Sequence, residues 1–412
     1  MLVYISQKNS SQKTITCVQI YKLVIRVYLG RGKGLRVEQG HPWIFFNEVE
    51  KITGDPTPGD VAEIYNFKNK FIGRGYINLN SRINCRILTR NPDEQIDYQF
   101  FKNALLKCKS YREKLGYTEN YRLVFGEADS LPGLVIDKFK DVYVIQSLAA
   151  GIDKWKDTIA KILMEDLGAV GVIERNDVPI RKLEGLEEVV GFLSPPCETK
   201  FTIQENGVQF HVNLLDSQKT GFFLDQKENR LALQHIVKDA EVLDCFTYTG
   251  SFALFAAHFG AKHVHAIDAS EDAITLAKKN AALNNFENIS FETINVFDAL
   301  PVWVKEGKQY DVVILDPPAF TKNRKGLDSA IKGYKEINLR GMKLVKPGGF
   351  LLTFSCSHFM KPELFYEVLY DAANDANKTI RQVQYLTQSK DHPIIWGVEE
   401  TNYLKGYVVQ VL

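Results

Sequence analysis

Two apolar runs that each end in an acidic residue constrain the fold of this chain more than any other feature. The first, residues 241–244, leads into a turn containing Gly250 and an apolar helical segment, and the second, residues 264–268, follows about twenty residues later. Strand, loop, helix and strand in this order are typical of the first half of a nucleotide-binding α/β unit. Residues 206–412 are therefore predicted to form an α/β domain around a Rossmann-like sheet of about seven strands.

The ends of these runs define a predicted ligand site. Ligands of open parallel sheets lie beyond the carboxyl ends of the strands, so Asp268 can accept hydrogen bonds from a ribose diol. Gly250 lets the intervening loop, with Phe246 and Tyr248, pass close to the ligand. The stretch lacks the G-x-G-x-x-G pattern that holds a pyrophosphate, which argues against NAD or FAD. An adenosyl cofactor without phosphates, S-adenosylmethionine (SAM), is therefore predicted.

Two later segments extend this site. Asp298 closely follows an apolar run and is predicted to reach the adenine amino group. Residues 310–320 read as a buried strand that runs into Asp316-Pro-Pro-Ala-Phe320. Because two consecutive prolines cannot continue a strand ladder, we expect Asp316 and Phe320 at the edge of the sheet. This turn resembles the signature of methyltransferases that act on planar nitrogenous bases.

Polar side chains also cluster ahead of the first of these strands. Residues 217–230 predict a turn followed by a helix whose first turn carries Asp225 and Gln226. Residues of this kind either cap the helix or contact the methionine end of the cofactor. Gln226 is predicted to contact the cofactor, whereas both roles stay open for Asp225.

A cysteine stands at the end of another apolar run. Residues 349–354 lead into Ser-Cys-Ser-His, where a buried strand should have stayed apolar. A Cys356 thiolate that adds to carbon 6 of a cytosine would make carbon 5 nucleophilic enough to take a methyl group. His358 and basic neighbours would favour the thiolate, and His358 is a candidate base for the carbon-5 proton. The alternative for Cys356 is a small buried apolar side chain.

The turn after Asp316 supplies the other predicted substrate contacts. Asp316 can hydrogen-bond N3 and the exocyclic amine of a cytosine, and Phe320 can stack on the ring. The basic loop that follows can hold phosphates beside the target base through Lys322, Arg324 and Lys325.

The start of the chain is basic although the net charge is only +1: residues 1–90 hold 14 Lys and Arg against six Asp and Glu. Short runs separated by Gly and Pro predict a small β-barrel over residues 22–95, and its charge predicts a polyanionic partner. The Gly-rich segment and His-Pro-Trp-Ile-Phe resemble the PUA domain, an RNA-binding module. Arg31, Lys33 and Arg36 are predicted on RNA phosphates, unless these residues only solvate the domain.

The remaining segments complete the predicted organisation. Residues 96–205 predict an α+β middle domain without a catalytic cluster, and residues 1–21 an N-terminal extension. Six scattered cysteines without C-x-x-C spacing indicate a reducing compartment and no metal site. We find no apolar run long enough for a membrane span and no secretory signal, so we expect a cytoplasmic location.

Taken in order, the motifs resemble a family over about residues 22–412. The PUA-like module, the α+β block, T-G-F-F-L-D-Q-K-x-N-R, D-C-F-x-Y-T-G-S-F, D-P-P-A-F and S-C-S are similar to bacterial large-subunit rRNA cytosine-C5 methyltransferases. The resemblance implies SAM as donor, 23S rRNA or a large-subunit assembly intermediate as partner, and Cys356 as nucleophile. It also implies SAM contacts at Asp244, Asp268, Asp298 and Asp316. A homodimer is left open.

One departure keeps the reaction open. The wider group of RNA cytosine-C5 methyltransferases carries a second cysteine in its D-P-P turn for product release, where this chain has Ala319. One alternative is an N-methyltransferase acting on a guanine or adenine of RNA, which would not need Cys356. Another is a SAM-binding ribosome assembly factor without turnover.

Overall fold

The computed structural model describes residues 24–216, 220–321 and 323–412. Three sheets and one hairpin follow one another along this part of the chain. The predicted extension at residues 1–21 lies outside the described residues, as does Lys322. No helix in the described ranges combines the length and the apolar character that crossing a bilayer requires.

The first sheet has six strands in the order β2-β6-β5-β4-β1-β3. Its elements are β1 (Ile25–Leu29), α1 (Leu35–Glu38), β2 (Trp43–Phe45), β3 (Val49–Thr53), β4 (Asp60–Tyr65), β5 (Phe71–Ile77) and β6 (Ile83–Thr89). Strand β4 alternates buried and half-buried positions because successive side chains of a strand point to opposite faces. Its inward residues, including Ile64, pack with Val27 and Ile44 in a small core.

The second sheet has five strands in the order β11-β10-β9-β8-β7. Its elements are α2 (Tyr98–Lys114), β7 (Tyr121–Phe125), β8 (Leu134–Phe139), β9 (Val142–Ser147), α3 (Ala150–Glu165), β10 (Gly171–Arg175) and β11 (Val190–Phe192). Helix α2 begins where the Asp97 side chain accepts a hydrogen bond from the Phe100 amide. The parallel pair β9 and β10 is connected by α3, as a crossover requires.

A two-stranded hairpin, β12 (Lys200–Glu205) and β13 (Val208–Asn213), comes next. It straddles residue 206, where the third domain is predicted to begin. Its buried residues Ile203, Phe210 and Val212 pack in one core with residues of the last sheet.

The last sheet has seven strands in the order β16-β15-β14-β17-β18-β20-β19. Its elements are α4 (Lys227–Leu231), β14 (Glu241–Cys245), α5 (Ser251–His258), β15 (His263–Asp268), α6 (Glu271–Leu283), β16 (Ile289–Thr293), α7 (Val296–Lys305), β17 (Tyr310–Leu315), α8 (Leu327–Leu344), β18 (Val345–Ser355), α9 (Pro362–Asp375), β19 (Ile380–Thr387) and β20 (Lys405–Val411). Strands β14 to β18 are parallel, whereas β20 is antiparallel to both of its neighbours.

The strand order places a ligand site. Strand β14 pairs with β15 on one side and with β17 on the other, so the crossovers diverge from β14. The carboxyl ends of strands at such a switch point border a crevice. The predicted fold class, an α/β sheet preceded by a small β domain and an α+β domain, is confirmed.

Buried polar contacts join the middle sheet to segments of the last domain. Arg122 donates to both carboxylate oxygens of Asp137 at 2.8 Å, and the Thr220 hydroxyl donates to the same carboxylate. The Arg122 amide donates to Asp391 at 2.8 Å. The Arg122–Asp137 pair lies within the middle sheet, whereas Thr220 and Asp391 attach the segments before α4 and between β19 and β20 to it.

Candidate active site

A cleft of about 380 Å³ opens at the carboxyl ends of β14, β15 and β17. Seven of the predicted site residues line it: Gln226, Phe246, Tyr248, Asp268, Asp316, Phe320 and Cys356. They come from four strand ends and one preceding turn, which are remote in sequence. The open parallel sheet brings them together because its strands all end at one edge.

The loop after β14 is held in an unusual backbone conformation. Phe246 and Tyr248 have φ of +62° and +50°, and Gly250 has φ of +87°. The Asp268 carboxylate accepts hydrogen bonds of 2.9 Å from the amides of Tyr248 and Ser270. Asp268 therefore lines the cleft and also shapes the loop opposite. Left-handed backbone conformations are costly for residues other than glycine, and they concentrate at functional sites.

Asp244 lies beneath this loop and is not among the residues that line the cleft. It is 1% exposed, and one carboxylate oxygen accepts from the Thr247 hydroxyl at 2.5 Å and the Ala253 amide at 3.0 Å. Burial raises the pKa of Asp244 to about 7. Asp244 therefore connects the loop to the start of α5 through these hydrogen bonds.

The turn before α4 reaches the cleft from the other side. Gln226 donates from Nε2 to Oδ1 of Asp316 at 2.9 Å, and Asn229 donates to Oε1 of Gln226 at 2.6 Å. Asp225 also lines the cleft and accepts a 2.6 Å hydrogen bond from the Tyr403 hydroxyl. The N-cap residues of the two short helices that begin here are Phe223 and Gln226 rather than Asp225.

The structure places other residues than Asp298 at the end of β16. Asn295 and Phe297 line the cleft, whereas Asp298 is exposed and is not in its lining. Asn295 caps α7 by accepting from the Phe297 amide at 2.9 Å, and this sets the direction of the helix. With the helix beginning there, Asp298 falls in its first turn and faces solvent. The Asn immediately after an apolar run was the signal that could have indicated this cap.

Cys356 lies directly after β18 and is half-buried in the cleft wall. Its Sγ is 3.8 Å from the carbonyl oxygen of Pro317, a weak hydrogen bond. The Ser357 hydroxyl donates to the carbonyl of Thr321 at 3.1 Å. The Ser-Cys-Ser segment is therefore attached to the D-P-P turn and its following residue through the thiol and through Ser357.

Aromatic rings surround the predicted substrate position. Phe320 packs on Tyr334 with ring centroids 4.5 Å apart and on Phe297 at 5.6 Å. His358 is half-buried and is not among the residues that line the cleft. Burial, assisted by the charge of Lys361, lowers the pKa of His358, so the imidazole is neutral at pH 7.

The residues predicted to contact RNA differ in their solvent exposure. Arg31 and Lys33 are exposed, and so are Arg324 and Lys325 after the D-P-P turn. Arg36 is instead half-buried: it donates to the Trp43 carbonyl at 3.0 Å and to Glu48 at 3.2 Å. Its guanidinium also packs over a phenylalanine ring of β2. Arg36 therefore has structural contacts that the exposed pair does not share.

The donor set of the cleft fits SAM. The Asp268 carboxylate can accept from ribose hydroxyls, Asn295 can hydrogen-bond the adenine, and Phe297 and Tyr248 offer apolar contact. Asp225 and Asp316 suit the positive sulfonium and the amino group of the methionine end. Across the described ranges, no group of three His, Cys, Asp or Glu is arranged to hold a metal ion.

Comparisons with known proteins agree with this geometry. A family model described as PUA-like domain matches residues 27–90, and one described as S-adenosylmethionine-dependent methyltransferase matches residues 185–406. Ribosomal RNA large subunit methyltransferase I of Alteromonas mediterranea is 42% identical over 386 residues, 92% of this chain and 97% of the relative. The protein of that name from Shewanella frigidimarina is 40% identical over 397 residues, 94% of this chain and 100% of the relative.

Solved structures show the same architecture. A methyltransferase crystallised with SAH has a TM-score of 0.81 at 20% identity and covers 94% of this chain and 100% of its own. A SAM-dependent methyltransferase from Streptococcus mutans has a TM-score of 0.80 with the same identity and coverage. At this identity the likeness shows the fold, and the sequence relatives carry the assignment. The predicted cofactor is confirmed, and the chain belongs to the S-adenosylmethionine-dependent methyltransferases, within the family of ribosomal RNA large subunit methyltransferase I.

Proposed function

We propose that this chain methylates carbon 5 of a cytidine in 23S rRNA, with SAM as donor and Cys356 as covalent nucleophile. The names of the relatives support a large-subunit rRNA substrate. One observation carries the C5 chemistry: Cys356 lines the same cleft as Asp268 and Asp316. A thiol in that position can reach a base whose other edge faces the methyl donor. The cytoplasm, where rRNA is made and assembled, is the proposed location.

The first step belongs to Cys356 and Asp316. The thiolate adds to carbon 6 and forms a sulfur–carbon bond, and the electrons of the C5=C6 bond move towards N3 and O2. The Asp316 carboxyl takes up a proton when the base is bound, gives it to N3 as the ring gains charge, and accepts from the exocyclic amine with its other oxygen. The proton returns to Asp316 when the thiolate leaves. Gln226 holds this carboxyl by its 2.9 Å hydrogen bond.

Carbon 5 is then nucleophilic, and bound SAM supplies the electrophilic methyl group. Removal of the carbon-5 proton and expulsion of the Cys356 thiolate restore the C5=C6 bond. Neither a histidine nor a second cysteine is among the described lining residues, and Ala319 stands in the D-P-P turn. We therefore assign proton removal to water or to a carboxylate of the cleft rather than to His358.

The substrate is held by stacking and by charge. The exposed side of Phe320 can stack on the target base, since its other contacts are with Tyr334 and Phe297. Arg324 and Lys325 lie just beyond the cleft, and Lys322 belongs to the same basic segment. In the PUA-like domain we assign phosphate contacts to Arg31 and Lys33, which are exposed.

The test is transfer of a labelled methyl group from SAM to rRNA that lacks modification, followed by bisulfite mapping. We expect one protected cytidine and 5-methylcytidine on mass spectrometry of the nucleosides. Cys356→Ala should lose at least about a thousandfold in rate while SAM binding is retained, because the covalent route is removed. Cys197→Ala, a half-buried cysteine of the middle domain, is the matched control.

Three results would overturn the proposal. Full activity of Cys356→Ala, or a methyl group on a guanine or adenine nitrogen, would indicate the N-methyltransferase. SAM binding and rRNA binding without any transfer would indicate an assembly factor.

A further inference from the structure

A buried lysine holds the turn that follows Cys356. Lys405 is the first residue of β20, and its Cα pairs with that of Ser355, the last residue of β18. Its Nζ donates to the carbonyl oxygens of Ser357 and Met360, each at 2.6 Å. The side chain therefore reaches from the neighbouring strand across the end of β18 and closes the turn that follows the thiol.

The surroundings of this ammonium are unusual. Lys405 is 1% exposed, and within the described ranges no carboxylate forms an ion pair with it. Both of its hydrogen-bond partners are neutral carbonyls. Burying a charge without a counter-charge is costly. The ionisable group beside it that can supply a negative charge is the Cys356 thiol.

The other titratable groups near Cys356 differ from Lys405. Arg230 also lines the cleft, but its guanidinium is paired with the buried Glu205 at 2.7 Å. Tyr334 approaches from α8 and Tyr403 from the segment before β20, and burial raises the pKa of both phenols, so they stay neutral. Asp316 lies across the cleft and its carboxylate opposes a second negative charge. Within the described ranges, Lys405 is therefore the neighbouring cation that is not paired with a carboxylate.

The electrostatics of Lys405 agree with this contact. Burial lowers the pKa of Lys405 to about 8, and the negative charge of Cys356 opposes that fall, whereas the nearby Lys361 adds to it. The interaction between two titrating groups is reciprocal. The Cys356 thiolate stabilises the Lys405 ammonium, so the ammonium stabilises the thiolate by the same free energy. His358, two residues from the thiol, is neutral at pH 7 and cannot replace that charge.

We propose that Lys405 is a positioning residue for Cys356: its ammonium holds the turn of residues 357–360 and stabilises the thiolate before the RNA base arrives. This inference rests on the proposed role of Cys356. It predicts a thiol that is more reactive than an ordinary cysteine in the protein without RNA.

The test is the rate of Cys356 alkylation by iodoacetamide between pH 5 and 10, followed by peptide mass mapping. In Lys405→Met we expect the rate at pH 7.5 to fall about tenfold and the midpoint of the pH profile to rise by about one unit. Lys361→Met is the matched control, because Lys361 is exposed and pairs with Glu399, and its profile should shift far less. Superimposable profiles for Lys405→Met and the wild type would overturn the proposal.

A second measurement does not depend on the folding of Lys405→Met. Lysine labelled with carbon-13 at Cε lets NMR follow the titration of Lys405. Its titration midpoint should fall in Cys356→Ala, because the thiolate that stabilises the ammonium is gone. An unchanged midpoint would also contradict the coupling. Lys405→Arg, which keeps the charge, should keep more of the alkylation rate than Lys405→Met.

The two proposals fail separately. Methylation by Cys356→Ala would remove the covalent mechanism and leave the alkylation profiles as they are. An inactive Cys356→Ala together with an unchanged thiol profile in Lys405→Met would remove the role of Lys405 alone.

Discussion

Gln226 and Asp316 are joined by a 2.9 Å hydrogen bond although 90 residues separate them in the sequence. Asn229 donates to the Gln226 oxygen, so the amide must present its nitrogen to the carboxylate. The bond connects the turn before α4 to the end of β17. It keeps the carboxylate of the D-P-P turn directed towards the cleft instead of leaving it free to rotate.

Gln226→Glu tests this contact. Two carboxylates at hydrogen-bond distance disfavour each other's ionised form, so one must take up a proton or move away. We expect the methylation rate at pH 7.5 to fall about tenfold or more, with partial recovery near pH 6. Gln309→Glu makes the same change at an exposed amide directly before β17, at the edge of the sheet opposite the cleft. It should not alter the rate. An unchanged rate for Gln226→Glu would show that the bond is dispensable.

Gly250→Ala should weaken both stability and SAM binding. Its φ is +87°, and an added Cβ would lie 2.7 Å from Leu254 Cδ1 and 3.2 Å from Ala277 Cβ. Gly260→Ala is the matched control, because its φ is +89° and nothing lies within 4 Å of its Cβ position. We expect about 1 kcal/mol of destabilisation at Gly260 from backbone conformation alone.

At Gly250 we expect at least twice that loss and about tenfold weaker SAM binding, measured by thermal unfolding and calorimetric titration. Equal effects at the two glycines would mean that the contact with Leu254 carries no extra cost.

Asp244 should make stability depend on pH. Its pKa is raised by burial to about 7, above that of an unfolded aspartate, so its stabilising contribution is complete at low pH. That contribution is lost as the pH rises from about 4 through 7. Asp244→Asn cannot ionise, so the wild type should lose on the order of 2 kcal/mol relative to this variant between pH 5 and 8.

Urea unfolding of the SAM-free proteins at several pH values measures this difference. Asp298→Asn, at an exposed position, should show no comparable trend. A wild-type protein that gains stability relative to Asp244→Asn as the pH rises would contradict the buried, protonated carboxyl.

Arg122→Met should destabilise the middle domain, because Arg122 and Asp137 pair across its neighbouring strands β7 and β8. Asp137 is fully buried and depends on two 2.8 Å hydrogen bonds from Arg122. Removing the guanidinium leaves a buried charge unpaired, which costs about 3–5 kcal/mol. The double variant Arg122→Met with Asp137→Leu should recover part of the loss.

Arg26→Met removes an ion pair to Glu63 whose arginine side chain is 47% exposed, and it should cost far less than Arg122→Met because water screens the pair. Thermal unfolding compares the variants. Equal effects of the two arginine substitutions would mean that burial does not matter for the pair.

Lys33→Ala and Arg36→Ala should separate RNA binding from structure. Lys33 is exposed, so its loss should weaken rRNA binding and reduce the slope of log K against log salt by about one. Its melting temperature should not change. Arg36 donates to Trp43 and Glu48, so its loss should lower stability by about 1–2 kcal/mol. Filter binding at several salt concentrations and thermal unfolding give both quantities.

Residue patterns were sufficient to predict the sheet and several members of the site. Asp268, Asp316 and Cys356 each stand where an apolar run ends, and the carboxyl ends of parallel strands share one edge. That rule alone predicts their convergence. The paired prolines after Asp316 likewise marked the end of a strand, and the structure ends β17 at Leu315.

The same patterns could not predict which of two similarly placed polar residues faces the cleft. Asp244 and Asp268 both end apolar runs, but Asp244 is buried beneath the loop because Thr247 and Ala253 draw its carboxylate inward. Asp298 and Asn295 are three positions apart, and the start of α7 at Val296 turns only the second towards the cleft. Periodicity does not distinguish such positions, since local hydrogen bonds decide them.

Lys405 shows the limit most clearly. Its contact with Ser357 spans 48 residues and depends on β20 lying antiparallel beside β18. Hydrophobic spacing along the chain is enough to predict which residues of a strand face each side of the sheet. Which strand lies next to which, and therefore which charge meets which thiol, follows from the packing of segments that are far apart in the chain.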